Sequence, residues 1–180
     1  MINGFVAYGD SANPIKVHFK KHYCNKCGAR LKVVKDRTCI SRTSPEAKYY
    51  YHLVYDDDGI GDYEFVHKIF CCPRCAHEIE LITQLSLEDC DAVAGKLGKY
   101  CFKKGIKVTK IKEYFETRDG RNVEKAENVE NISSFRLRAF NEDDCILDYK
   151  APIRREKRES RPYYFDISWS DVKSSLKKIK

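Results

Sequence analysis

Cys24-Asn25-Lys26-Cys27-Gly28 and Cys72-Pro73-Arg74-Cys75-Ala76 are the two stretches of this sequence that decide its fold. In each stretch two residues separate two cysteines, a spacing that lets both thiolates turn toward one cation while backbone N–H groups donate to the sulfurs. Gly28 supplies the unusual backbone angle that the first turn needs, and Pro73 stiffens the second. Four thiolates around one ion predict a closed tetrahedral site, which is structural because it has no open position for water.

The second stretch contains an ambiguity in its ligands. Cys71 stands next to Cys72 and offers a competing pairing with Cys75 across three intervening residues. The spacing that includes Pro73 makes the better metal-binding turn, so we predict Cys72 as the ligand. His77 is a weaker substitute ligand.

The remaining cysteines bear on the choice between metal and disulfides. The chain has nine cysteines, an odd number, and begins without a recognisable export signal. In a reducing compartment such a pattern favours metal over disulfides. We therefore expect a cytoplasmic protein with no membrane span, and we interpret the other cysteines as small buried apolar residues. These other cysteines are Cys39, Cys90, Cys101 and Cys145. The alternative is that they form a second zinc site.

The two motifs resemble the zinc-ribbon (rubredoxin-knuckle) class, in which two such knuckles lie at the ends of β-hairpins. The resemblance covers residues 20–85 and implies one structural Zn²⁺ held by Cys24, Cys27, Cys72 and Cys75. An iron–sulfur cluster or a single iron ion is the alternative with the same ligands. The 44 residues between Cys27 and Cys72 exceed the usual ribbon spacing. We interpret the excess as a lengthened hairpin arm.

Apolar periodicity predicts strands around these motifs. Ile15, Val17 and Phe19 alternate with polar residues, which is typical of a half-buried strand. Two aromatic runs, 49–55 and 63–70, flank a turn that is rich in Asp and Gly and predict a hairpin. The run 2–8 and the run 77–85 are further strand candidates.

The second half of the chain predicts one long helix and another sheet. Ser86 followed by Asp89 is a helix start, apolar residues then recur at helical spacing, and Gly105 is a stop. Extended patterns follow from residue 106, with a turn at Asp119-Gly120 and a return strand through residues 135–139. Residues 150–162 predict a basic arm. Ser168 starts a terminal helix with an apolar stripe through Val172, Leu176 and Ile179.

These patterns predict an α+β fold in three parts. Residues 1–85 form the zinc-ribbon-like β module. Residues 86–149 form a helix and a β-hairpin, which either share the core of that module or have a core of their own. Residues 150–180 form a basic arm and a terminal helix.

The net charge of +7 is concentrated at the two ends of the chain. Residues 1–32 carry six Lys/Arg and one acid, and residues 150–180 carry ten Lys/Arg and four acids. This asymmetry indicates a polyanionic partner or an acidic protein surface.

We expect a non-enzymatic protein whose partner is nucleic acid. Basic residues neutralise phosphates while aromatic residues beside them stack on bases. The predicted contacts are Lys16, Lys20, Lys21, Lys26, Arg30, Arg154, Arg155, Lys157, Arg158, Arg161, Tyr163 and Tyr164.

The alternative is a protein-interaction module, such as an adaptor or an inhibitor of a host complex, that docks through the ribbon and the terminal helix with Trp169 as a further anchor. The sequence contains no H-E-x-x-H motif, no Gly-rich phosphate-binding loop and no G-x-S-x-G motif, and we infer no small-molecule substrate. A residual enzymatic hypothesis rests on His52 and His67, which the predicted hairpin would bring together, and on a cation bound by the acidic turn 56–58.

Overall fold

The computed structural model describes residues 6–9, 12–41, 43, 45, 63–155 and 163–176. The chain divides into two compact units. Unit 1 comprises residues 1–84 and 155–162, and unit 2 comprises residues 85–154 and 163–180. Both helices and antiparallel sheets are present, so the fold is α+β and rich in strands. None of the described helices is long and apolar enough to cross a membrane.

Unit 1 is built on a sheet whose central strand is β3. Its strands are β1 (Val6–Gly9), β2 (Lys32–Ile40), β3 (Tyr63–Cys71) and β4 (Glu78–Glu80). The order is β1-β3-β2, and β4 also pairs with β3. β1 runs parallel to β3, whereas β2 and β4 run antiparallel to it. The predicted strand 49–55, like residues 2–5 and the acidic turn, lies outside the described residues.

Helix α1 (Pro14–Phe19) occupies the stretch where alternation predicted a strand, and that prediction is wrong. The Oδ1 of Asn13 accepts a hydrogen bond from the N–H of Ile15 at 2.9 Å, and Pro14 occupies the first turn. An Asn cap followed by Pro is a strong helix start. Val17 is buried, whereas Ile15 and Phe19 are 67% and 85% exposed, so the alternation of apolar residues does not follow burial.

Unit 2 contains a second sheet. Its strands are β5 (Lys110–Thr117), β6 (Asn122–Val123), β7 (Ile132–Asn141), β8 (Asp144–Arg155) and β9 (Tyr163–Phe165), in the order β6-β5-β7-β8-β9. The turn at Asp119-Gly120 and the return strand are confirmed, and a short 3₁₀ helix, Val129–Asn131, precedes β7. Residues 150–155, predicted as the start of a basic arm, instead continue β8, because Ala151 is buried opposite Phe135.

Helix α2 (Leu81–Lys103) begins five residues before the predicted cap, Ser86. Ser86 is itself buried, and the predicted strand 77–85 shrinks to β4 because its apolar second half joins the helix. The predicted end is confirmed: Gly105 has φ +68°, and the N–H of Ile106 donates to the carbonyl of Cys101 at 2.9 Å. The unit boundary lies within this helix, after Gln84.

Helix α2 packs on one face of the unit 2 sheet. Val93 and Leu97 are buried on its apolar stripe, and a Cβ placed on Gly98 would lie 3.7 Å from the side chain of Ile111 on β5. On the same face of the sheet, the ring of Phe115 contacts Phe135 and Phe165, with centroids 5.4 and 5.6 Å apart. This face is the core of unit 2.

The terminal helix α3 (Trp169–Ser174) is shorter than predicted. The Oγ of Ser168 accepts a hydrogen bond from the N–H of Asp171, which confirms the predicted cap. After Ser174 the chain leaves the helix, and Leu176 forms a β-bridge with Leu147. The predicted stripe residue Ile179 lies outside the described residues.

Candidate metal centre

The two knuckles have the same backbone geometry. In the first, the N–H of Gly28 donates to the carbonyl of Cys24 at 2.8 Å, and the N–H of Ala76 donates to Cys72 at 2.9 Å in the second. The residue after the second cysteine is left-handed in both, with φ +71° at Gly28 and +53° at Ala76. The sequence indicated this angle for Gly28 only, because Ala76 carries no glycine signal.

The four predicted ligands come together in unit 1. The sulfur atoms of Cys24, Cys27, Cys72 and Cys75 all lie within 4.8 Å of one another. The Sγ atoms of Cys24 and Cys75 are 3.7 Å apart, and those of Cys27 and Cys72 are 3.4 Å apart. With a Zn–S bond of 2.3 Å, a tetrahedral site has sulfur separations of about 3.8 Å. The four cysteines are therefore positioned to bind one metal ion with no open coordination position.

The neighbouring candidates lie outside this cluster. Cys71 directs its Sγ toward the carbonyl of Cys72 at 4.0 Å, and neither it nor His77 belongs to the group of ligand atoms. Within the described part of the chain no second group of His, Cys, Asp or Glu is close enough to hold a metal.

All nine cysteines are free thiols. Cys90 and Cys101 are buried as predicted. Cys39 is exposed, so its predicted burial is wrong, and Cys145 is only half-buried.

The pKa values of two thiols in the cluster are shifted in opposite directions. Burial opposes ionisation of Cys72, but N–H groups of Cys75 and Arg74 and the thiols of Cys27 and Cys75 donate to its sulfur and bring its pKa down to about 6. For Cys75 the N–H of His77 favours the thiolate, yet burial and the hydrogen bonds among the cysteines raise its pKa to about 12. Only a cation at the centre would let all four ionise together.

Two buried polar side chains support the first knuckle. The Nε2 of His22 lies 3.1 Å from the carbonyls of both Lys16 and Val17, so it must donate and is the protonated ring nitrogen. Its ring also packs on Phe70 at 4.5 Å. The Nε2 of Gln84 donates to the carbonyl of Tyr23 at 3.1 Å. These bonds attach the knuckle to α1 and to the start of α2.

A cleft of about 630 Å³ lies beside the first knuckle. Lys20 and Arg30, both predicted contacts, line it together, and Lys32 and His18 join them. Among the described residues that line the cleft none is acidic, and residues 12–35 contain seven Lys/Arg and no Asp or Glu. Lys32 was missed as a candidate, although the absence of acids from this stretch was a signal for it.

The other predicted contacts in this region are dispersed over the surface of unit 1. Lys21 and Lys26 are exposed, whereas Lys16 is half-buried on α1. Two apolar side chains beside them are strongly exposed, Phe19 at 85% and Tyr23 at 53%. The sequence analysis identified neither ring, because it assigned Phe19 to the core face of a strand and did not consider Tyr23.

The contacts predicted in the C-terminal segment lie elsewhere. Arg154 is exposed at the end of β8, and Tyr163 and Tyr164 are half-buried in β9 rather than carried on an arm. The side chain of Arg155 and all of Lys157, Arg158 and Arg161 lie outside the described residues.

Two residues that we predicted as anchors of a docking terminal helix, Val172 and Trp169, pack against other residues of unit 2. Val172 has no exposed surface. The indole of Trp169 meets the ring of Tyr100 edge-on at 5.6 Å, and the Nζ of Lys96 lies 4.6 Å from its centre. This short helix therefore presents no free apolar stripe in the described residues.

The hypothetical histidine pair is only partly described, because His52 lies outside the described residues. His67 is buried on β3, with its Nε2 3.3 Å from Glu80 and 3.6 Å from Asp36.

Comparisons of the chain with protein-family models, with curated proteins and with solved structures find no match.

Proposed function

We propose that unit 1 is a zinc-stabilised module that binds nucleic acid. The support for zinc is the closed set of four thiolates, which suits a structural ion and gives no position at which a substrate could enter. The same closure is why we propose a binding protein rather than an enzyme. Elemental analysis tests the metal: one zinc per chain is expected, and one iron per chain would overturn its identity.

The observation that supports nucleic acid as the partner is the basic cleft beside the first knuckle. Lys20, Arg30 and Lys32 line one concave surface, and none of the described residues that line it with them carries a carboxylate. Converging cations of this kind favour a polyanion, and association with phosphates releases counterions and depends steeply on salt. The exposed rings of Phe19 and Tyr23 lie in the same stretch and offer stacking surfaces for bases.

A docking protein partner is the second candidate. It is favoured by Ile15 and Phe19, which lie four residues apart on α1 and are both strongly exposed. Such a pair is typical of a helix that inserts into an apolar groove. An interface of this kind would be insensitive to salt, which separates the two candidates.

The test compares two triple variants of the full zinc-loaded chain. Lys20→Ala, Arg30→Ala and Lys32→Ala together remove three charges from the cleft. The matched control removes three exposed lysines at and directly after the C-terminal end of α2, namely Lys99, Lys103 and Lys104. Affinity for duplex and single-stranded oligonucleotides is measured by fluorescence anisotropy at several salt concentrations.

The cleft variant should lower the slope of log affinity against log salt by about 0.9 per lost contact on duplex and about 0.7 on single strands. The control should change it much less. If the unmodified protein binds neither probe at low salt, or if the two variants behave alike, nucleic-acid binding by the cleft is refuted. Retention of structure is checked by circular dichroism.

A further inference from the structure

The sheet of unit 2 has one covered and one open face. Cross-strand pairs such as Lys112 with Arg138 and Arg138 with Asp148 share a face. Because side chains alternate along a strand, the even-numbered residues of β5 (110–116), β7 (134–140) and β8 (148–154) all lie on that face. The odd-numbered residues between them lie on the opposite face, whose buried members Phe115, Leu137 and Ala151 belong to the core under α2. We refer to the even-numbered set as the open face.

Apart from the buried Ser134, the open face is accessible and strongly basic. Lys110, Lys112, Lys150 and Arg154 are exposed, and the side chains of Arg136 and Arg138 are 30% and 34% exposed. Against these six cations the face carries two carboxylates, Glu116 and Asp148. An open sheet face with this imbalance is not the mixed-charge surface that solubility alone requires.

Both carboxylates are already used within the sheet. Arg136 forms a two-pronged pair with Asp148, with both N–O distances at 2.8 Å, and its third nitrogen reaches Glu116 at 2.9 Å. Lys150 also pairs with Glu116. Within the described part of the chain, no carboxylate pairs with Lys110, Lys112 or Arg154. The face therefore retains cations that are available to an external anion.

Two aromatic rings lie among these cations. The Nζ of Lys112 and the guanidinium of Arg138 are 5.6 and 5.1 Å from the ring centre of Phe140. Tyr114 lies on the neighbouring strand β5, opposite Arg136. Both rings are half-buried, so each keeps surface that another planar group can cover.

We propose that the open face binds single-stranded nucleic acid, with bases stacked on Tyr114 and Phe140 and phosphates held by Lys110, Lys112 and Arg154. This inference rests on the proposed function and assigns its ligand class. The bases of a duplex are stacked on one another and are not free to cover a protein ring. A flexible single strand can instead spread its bases over the sheet while its backbone follows the cations.

The experiment uses the full zinc-loaded chain and two open-face variants. One removes the cations by Lys110→Ala, Lys112→Ala and Arg154→Ala. The other removes the rings by Tyr114→Leu and Phe140→Leu. The triple variant at Lys99, Lys103 and Lys104 is again the charge control. The probes are a fluorescein-labelled oligo-dT of about 20 nucleotides, an oligo-U of the same length and a duplex of matched length.

The cation variant should lower the single-strand salt slope by about 2, which is 0.7 for each of three contacts, whereas the control should leave it nearly unchanged. The ring variant should weaken single-strand binding about tenfold or more without altering that slope or duplex affinity. Unfolding transitions of all variants, followed by the fluorescence of Trp169, verify that unit 2 is intact.

Three results would contradict the inference in distinguishable ways. If the unmodified protein binds no oligonucleotide at low salt, the proposed function fails and the open-face assignment fails with it. If binding is lost in the cleft variant of unit 1 but the open-face variants match the charge control, only the open-face assignment is overturned. If polyglutamate competes as well as oligo-dT and the ring variant binds normally, the face recognises acidic protein instead.

Discussion

The two knuckles permit a matched test of backbone strain, since Gly28 and Ala76 occupy equivalent left-handed positions with different side chains. A Cβ at Gly28 would meet nothing within 4 Å, so Gly28→Ala introduces no collision with neighbouring atoms. Its cost is the left-handed angle itself, about 1–2 kcal/mol for an L-residue. Alanine also restricts the unfolded chain more than glycine does, which offsets about 0.4–1 kcal/mol of this cost. The net loss is about 1 kcal/mol.

The opposite substitution, Ala76→Gly, should gain about the same amount, because it relieves the angle of +53°. Since metal binding and folding of such a module are one equilibrium, these energies appear in the metal affinity. One kcal/mol corresponds to about fivefold in a dissociation constant, so Gly28→Ala should weaken zinc binding about fivefold and Ala76→Gly should strengthen it about fivefold. The two variants should differ about 25-fold.

Competition with a chelator of known affinity measures these constants. Gly95→Ala is the control, because Gly95 lies in α2 with an ordinary backbone angle and open space around it. It should leave zinc affinity unchanged while favouring the helix. The reasoning is refuted if Gly28→Ala binds zinc as tightly as the unmodified chain, or if Ala76→Gly binds it more weakly.

Three further predictions follow from the structure. Cys72→Ser should lose the metal and Cys71→Ser should retain one ion per chain by elemental analysis; the reverse pattern would identify the other ligand set. Val172→Ala should lower the free energy of unfolding of unit 2 by about 2 kcal/mol, because Val172 is fully buried. The fluorescence of Trp169 measures this change, and a loss below about 0.5 kcal/mol would contradict the burial of Val172. Hydrogen bonds from Lys150, Ser134 and Arg136 lower the pKa of Glu116 from 4.5 to about 2. Its stabilising contribution is therefore complete above pH 4.5 and is lost as the pH falls toward 2, so Glu116→Gln should flatten the pH dependence of unfolding in that window; an unchanged profile would contradict this.

The local chemistry of turns and caps was predictable from the sequence. Each cysteine knuckle, the end of α2 at Gly105 and the cap at Ser168 depend on residues close together in the chain. Their signals are specific because few residue types satisfy such geometries. The start of α2 was mislocated because a short apolar run such as 77–85 fits a buried strand and a buried helix equally well.

The errors in α1 and in the basic arm have different causes. Five residues from Ile15 to Phe19 are too few to separate a period of 2 from one of 3.6, and the Asn13-Pro14 start was the better evidence. The extent of β8 depends on its pairing with β7, which is a long-range property. The open face was missed for the same reason. Lys112 and Arg138 are 26 positions apart in the sequence and become neighbours only through the β5–β7 register.

The long separation between the knuckles has a simple origin in the strand register. Lys32, five residues after Cys27, pairs with Cys71, the residue before Cys72, so the antiparallel pairing of β2 and β3 alone brings the knuckles side by side. Any chain inserted beyond Ile40 and Tyr63, at the other end of these strands, lengthens the sequence between the motifs without moving the ligands. The spacing of 44 residues is therefore no measure of the size of the metal site. Shortening the segment between Ile40 and Tyr63 should accordingly leave the metal stoichiometry at one per chain, and loss of metal in such a variant would show that this segment helps to hold the site.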